Sequence, residues 1–248
     1  MARSFLIRGM LCGLVAGVLV FLFAKYFGEP NVDGAIAVED QIQQAAGDPP
    51  DPVLVSRALQ ATWGLFTGTM LFSIAMGGIF SLVFAFSWGR LGRLGVRATA
   101  ALVALGGFVT FYLMPFLKYP ANPPSIGNPE TIGYRTALYF GVVVLSIIAL
   151  VAALNLGRAL LGRMERWHTI MVAVATYFVI MIAVDLVLPN INEVPSVFPA
   201  ALLWQFRMVA LGIQVILWTT VGLLFGELTE RALARAPSRA LKRAESKA

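Results

Sequence analysis

Histidine and cysteine are nearly absent: the 248 residues hold one of each, His168 and Cys12. A lone cysteine excludes an intramolecular disulfide and a thiolate metal cage. A lone histidine excludes a haem or zinc centre of the usual kind. Charge is scarce as well, at 13% of residues, where a soluble domain carries about 25%. No Walker-type phosphate loop is found, so the chain is not expected to hydrolyse ATP. A Gly-x-Ser-x-Gly elbow, an HExxH pair and a CxxC are all missing, and the expectation is that the protein is not an enzyme.

What fills the chain instead is apolar. The hydrophobic fraction is 58% and the mean hydropathy is +0.79. Six apolar runs stand out, at residues 4–27, 57–88, 98–114, 135–161, 168–188 and 200–225. Most are long enough to cross about 30 Å of hydrocarbon at about 1.5 Å per residue. The spacing predicts an all-α, polytopic membrane bundle of six transmembrane helices. The first run follows Arg3 and Arg8 but has no A-x-A-like cleavage site, so it reads as a span and not as a cleaved signal. Its Gly9, Gly13 and Gly17 form a small-residue stripe that lets another helix approach closely. Gly64 and Gly68 repeat that spacing, and an oligomer is compatible with such stripes.

The connections carry the charge, and they differ in sign. Fourteen of the 19 basic residues lie at the N-terminus, in residues 88–97 and 158–168, and in the tail. The alternate connections hold Lys25, Arg57, Lys118, Arg135 and Arg207 against nine carboxylates. Positive residues gather on the cytoplasmic side, so both termini are expected there. An even number of spans requires the same. The domain division is then a six-helix membrane part, residues 1–230, with an outer acidic loop at 28–56, and a basic cytoplasmic tail at 231–248. The tail suits lipid headgroups better than nucleic acid, and His168 beside Trp167 suits an interfacial anchor. Within the acidic loop, Ile36, Val38 and Ile42 predict a short surface helix ending near Gly47. The sequence Asp48-Pro-Pro-Asp-Pro then breaks it.

Proline marks the outer crossings. Residues 113–139 carry five prolines and cannot be one continuous helix. Residues 189–199 carry Pro189, Pro195 and Pro199, and Pro30 follows Glu29. Each crossing is followed by an arginine on the returning helix, Arg57, Arg135 or Arg207. This suggests a weak repeat of three parallel hairpins. Ionisable residues at the edges of spans are costly and need partners or a function. One reading is that Lys25, Lys118, Arg135 and Arg207 pair, base to acid, with Asp185, Glu29 and Glu193 and pin the crossings. The sharper reading is a cation path lined by Asp185, Glu193 and Glu29, with Asn190, Asn192 and carbonyls freed by the prolines. Asp185 leads, because it lies one turn before Pro189 in an otherwise apolar helix. Gln214, seven residues after Arg207, extends a polar track along one helix face or makes a helix–helix hydrogen bond.

Three blocks carry a resemblance to a known family. The first is Gly28-Glu29-Pro30 with Ala35-Ile-Ala37 and Glu39. The second is Pro115-Phe-Leu-Lys-Tyr-Pro-Ala-Asn-Pro-Pro124, followed by Gly127, Thr131-Ile-Gly133 and Arg135-Thr-Ala-Leu-Tyr139. The third is Leu188-Pro-Asn-Ile-Asn-Glu-Val-Pro195 with Phe198-Pro-Ala200 and Leu203-Trp-Gln-Phe-Arg207. On these the chain resembles the CbtA family, described as probable cobalt transporter subunits. The resemblance implies a bacterial inner-membrane protein and uptake of Co2+ as cargo, with no permanently bound cofactor. It also implies a small, single-span partner subunit bearing histidines. Family descriptions often give five spans, whereas charge parity here gives six. Cobalt accepts carboxylate, imidazole and water ligands. This chain offers carboxylates, so the ion passes partly hydrated or the partner supplies imidazole. Two other functions fit the same residues: a membrane scaffold for the partner, or an anion carrier built on Arg57, Arg135 and Arg207.

Overall fold

The computed structural model describes residues 2–47, 49, 54–124 and 126–235. Asp48, Asp51 and the tail beyond Arg235 lie outside the described residues. Helix dominates, and no strand forms among the described residues. Six helical stretches are long and apolar enough to cross a membrane: Ala2–Ala46, Arg57–Ser87, Val96–Lys118, Pro129–Leu160, Arg166–Val187 and Ala200–Ala234. The six predicted spans are all present. Large apolar side chains such as Leu22, Leu71, Phe86, Val179 and Leu223 are exposed. Exposed apolar surface on this scale suits lipid and not water.

The elements in order are α1 (Ala2–Phe23), α2 (Glu29–Ala46), α3 (Arg57–Leu59), α4 (Leu65–Ser87), α5 (Val96–Gly107), α6 (Met114–Lys118), α7 (Ile132–Leu160), α8 (Arg166–Val187) and α9 (Ala200–Ala234). Two proline sites behave differently from a simple break. Pro30 and Pro115 each follow a π turn, Ala24–Gly28 and Phe108–Leu113. In a π turn the N–H reaches the carbonyl five residues back, as Glu29 N–H does to Ala24. That wider turn relieves the clash of the proline ring with the preceding turn. The helix therefore runs on through Glu29-Pro30, where the sequence suggested an interruption. The surface helix is longer than expected, and it ends at Gly47, whose φ of +76° suits a glycine cap. A third π turn, Gln60–Gly64, has no proline beside it; its Ala61 carbonyl accepts the Lys25 ammonium at 3.0 Å.

The contacts divide the chain into two compact units. One comprises Met1–Pro30, Pro49–Gly107 and Val209–Ala248; the other comprises Asn31–Asp48 and Phe108–Met208. In the first unit α1 lies close against α4. A Cβ at Gly9 would collide with the Gly77 carbonyl, and one at Gly17 would come 2.9 Å from Met70 Sδ. Below that seam Phe5, Phe80 and Phe84 meet Phe225 of α9 edge to face. Helix α9 approaches α5 through another glycine, Gly222, where a Cβ would lie 2.5 Å from Ala104. In the second unit Met114, Val142, Ala149, Ala153, Tyr177 and Met181 form the core between α7 and α8. Inside it the Ser146 and Tyr177 hydroxyls bond to each other at 2.7 Å. Such a buried polar pair ties two membrane helices together.

Candidate functional site

The second unit concentrates the candidate residues at the ends of its helices. Proline explains why there. In an α-helix the N–H of residue 189 would bond the carbonyl of residue 185. Pro189 has no N–H, so α8 stops at Val187 and the Asp185 carbonyl needs another donor. Lys118, at the end of α6, supplies it at 2.6 Å. The same ammonium donates to Asn190 Oδ1 at 2.7 Å and lies 3.6 Å from Asp185 Oδ1. The Lys118 side chain is 6% exposed, whereas that of Asp185 is 57% exposed. Next to it the Tyr119 hydroxyl donates to the Pro189 carbonyl at 2.9 Å. Burial first, then Tyr134 and Asp185, hold the Tyr119 pKa above the ordinary phenol value, so it stays a donor.

Pro115 likewise lacks the N–H that an α-helix would give to the carbonyl of residue 111, although helix continues there into α6. The Phe111 carbonyl, four residues before the proline, receives the Tyr139 hydroxyl at 3.5 Å.

A second cluster surrounds Glu193. Thr131 Oγ1 donates to Glu193 Oε1 at 2.6 Å, and the Asn128 N–H donates to Oε2 at 2.8 Å. Arg135 Nε stands 3.3 Å from Oε2, a charge contact without good hydrogen-bond geometry. The two hydrogen bonds, and then the Arg135 charge, hold the Glu193 carboxyl below the ordinary value of 4.5. Gly127 is required here. Its φ is +115°, and a Cβ would sit 2.5 Å from Arg135 Nη1 and 2.9 Å from Glu193 Oε2. Asn192 is not part of the cluster; its side chain accepts the Val194 N–H at 3.3 Å and shapes its own turn.

Arg207 makes the third tie. It donates to the Ala121 carbonyl at 3.2 Å and to Asn122 Oδ1 at 2.9 Å. A cavity of about 190 Å³ lies between α2 and the crossings, lined by apolar residues with Glu39 and Gln43 as its polar groups. In the first unit Arg57 pairs with Glu29.

The structure thus groups Lys118 with Asp185 and Asn190, and Arg135 with Glu193. Gln214, half-buried on α9, belongs to the first unit. Arg57 pairs with Glu29 of its own hairpin; Arg135 donates to the Asn128 carbonyl of its own crossing and contacts Glu193 of the next, and Arg207 bonds Ala121 and Asn122 of the crossing before its own. Among the described residues, no three His, Cys, Asp or Glu side chains gather closely enough to hold a metal. Sequence reasoning missed Asn122, Gly127, Asn128 and Thr131. Asn128 had a readable signal, an Asn before Pro-Glu at a helix start; it accepts the Glu130 N–H at 2.9 Å as a cap. The other three stand in the block that carries the family resemblance, which singles them out without giving them a role. His168, at 3.3 Å from Glu165, forms an exposed surface pair.

No curated protein and no solved structure matches this chain. One family model does, that of CbtA, described as a probable cobalt transporter subunit, and it covers residues 2–230. The match takes in five of the six apolar helices whole, the sixth as far as residue 230, and every crossing discussed above, so the chain belongs to the CbtA family.

Proposed function

We propose that this chain is the membrane subunit through which a divalent cation, cobalt in the first instance, enters a bacterial cell across the inner membrane. One observation carries the reading beyond family membership: oxygen donors converge where α8 breaks at Pro189. The Asp185 carboxylate and carbonyl and the Asn190 amide meet at the end of an otherwise apolar span. Oxygen at a membrane edge, opposite few competing imidazoles, suits a partly hydrated divalent ion. Glu193 and Asn192 follow in the same crossing, with Asn190 nearest Asp185; Glu29, in the first unit, is a further candidate by its sequence position alone. A small single-span partner bearing histidine would supply the imidazole this chain lacks. The termini lie in the cytoplasm on this reading, and the acidic crossings face outward.

A second reading has its own observation. Arg207 is held by two neutral oxygens, those of Ala121 and Asn122, which suits an anion carrier.

Cobalt uptake by cells tests the first reading. Asp185→Ala and Glu193→Ala should each lower apparent affinity by about tenfold or more, as loss of groups around a metal commonly does. Uptake equal to wild type, with normal amounts of protein in the membrane, removes both residues from the path. Inhibition by anions, with indifference to both substitutions, selects the second reading instead.

A further inference from the structure

The oxygens at the broken end of α8 already hold a cation, and that cation belongs to the chain. Pro189 orphans the Asp185 carbonyl, Asn190 follows directly, and the Asp185 carboxylate is on the same turn. All three oxygens face one point, and Lys118 Nζ occupies it, at 2.6 Å, 2.7 Å and 3.6 Å. Carbonyl, amide and carboxylate are also the donors a divalent cation takes. The exposure is lopsided: the lysine is buried behind the oxygens, and the carboxylate opens outward. An arriving ion therefore meets Asp185 first and the ammonium second.

We infer that Lys118 is a tethered competitor for the ion, so that this site holds either the ammonium or the metal. This rests on the cation-uptake reading and says how that site is regulated. Two like charges at one point repel strongly at the edge of a membrane, where screening by water is weak. The four-carbon lysine stem is flexible enough to withdraw. Withdrawal breaks the bonds to the Asp185 carbonyl and to Asn190, so ion arrival releases the tie between the end of α6 and the crossing after α8. The competition also keeps the site from holding its ion too tightly. A path needs sites that an ion enters readily and leaves readily.

The wild-type full-length protein, purified in detergent and given Co2+ alone, tests this. Lys118 should be acylated slowly by an amine reagent, because the buried ammonium is engaged. Saturating Co2+ should raise its rate about fivefold or more, the lower range of ordinary site-to-site coupling, while Lys25 and Lys242 keep theirs. A Lys118 rate that Co2+ leaves unchanged or slows overturns the inference. Calorimetry gives the reciprocal measurement. Lys118→Gln should bind Co2+ about tenfold more tightly, and Lys118→Arg, which keeps the charge, should bind as wild type does. Equal or weaker binding by folded Lys118→Gln overturns it too. Should Lys118→Gln fail to fold, the acylation result on wild type decides alone. The two claims fail separately. Cells that take up cobalt while Lys118 ignores the metal sink the competitor. Cells that take up none while Co2+ still expels the ammonium sink the uptake reading.

Discussion

Glu193 shows how a single side chain can belong to two explanations. Its carboxylate takes the Thr131 hydroxyl, the Asn128 N–H and the Arg135 charge, which is what a structural clasp would need. These partners lower its pKa from 4.5. A carboxyl that is more acidic folded than unfolded stabilises the fold above its unfolded pKa. That contribution is lost as pH falls through the folded value. The thermal midpoint of the wild-type protein should therefore drop as pH falls below about 4.5, the unfolded carboxyl range. Glu193→Gln should melt earlier at neutral pH and show a flatter acid limb. Melting followed by tryptophan fluorescence across a pH series checks it; parallel curves for the two proteins would mean that Glu193 contributes nothing to the clasp. The charged residues at the span edges were legible in sequence, because lipid makes each of them conspicuous. Their partners were not. Thr131 and Asn128 are 62 and 65 residues from Glu193, and neither is a residue type that lipid exposes as an anomaly.

Among the elements, α1 and α4 show what a spacing rule can and cannot find. Glycines four apart on α1 place a smooth face on one side of the helix, and that face is the one that packs. The rule does not give the register of the partner. Gly64 and Gly68 have the same spacing as the α1 stripe, yet nothing lies within 4 Å of a Cβ at Gly68. The true partners are Ser73, Gly77 and Ser81, themselves small and four apart, with Met70 beside them; a stripe that admits serine as well as glycine picks them out, and one restricted to glycine does not. Gly9→Ala would press a methyl against the Gly77 carbonyl and leave the Ser81 side chain at 2.5 Å. Overpacking of a close seam costs about 1–3 kcal/mol. Gly68→Ala, in open space, should stay within about 0.5 kcal/mol of wild type. Thermal unfolding of the two variants in the same detergent separates them; equal midpoints would show that the α1–α4 seam yields without cost. Proline taught a related lesson. Its presence marked the crossings, but the π turns before Pro30 and Pro115 let helix continue where a break was expected.

For the whole molecule, the six spans were legible because each needs only length and apolarity, and lipid enforces both. The sidedness follows from charge. Fourteen of 19 basic residues lie on alternate connections and the termini, while nine of 13 carboxylates lie on the others. Because lysine and arginine are retained on the cytoplasmic side, the orientation we propose puts the basic connections inside and the acidic ones outside, and with that goes the direction in which an ion would travel. Single cysteines report this directly. The native Cys12 is fully buried, so it should stay silent toward a bulky thiol reagent. Asp40→Cys on α2 and Ser196→Cys in the last crossing replace exposed residues on the acidic connections. Gly95→Cys and Met164→Cys replace exposed residues on the basic connections, and at Gly95 an added Cβ meets nothing within 4 Å. A membrane-impermeant maleimide should label the first pair in intact cells and the second pair only after permeabilisation. The reverse pattern would put the acidic crossings inside the cell and turn the uptake reading into one of export. Labelling of Asp40→Cys and Ser196→Cys from opposite sides would instead break the six-span count, since both connections must then be separated by an odd number of crossings.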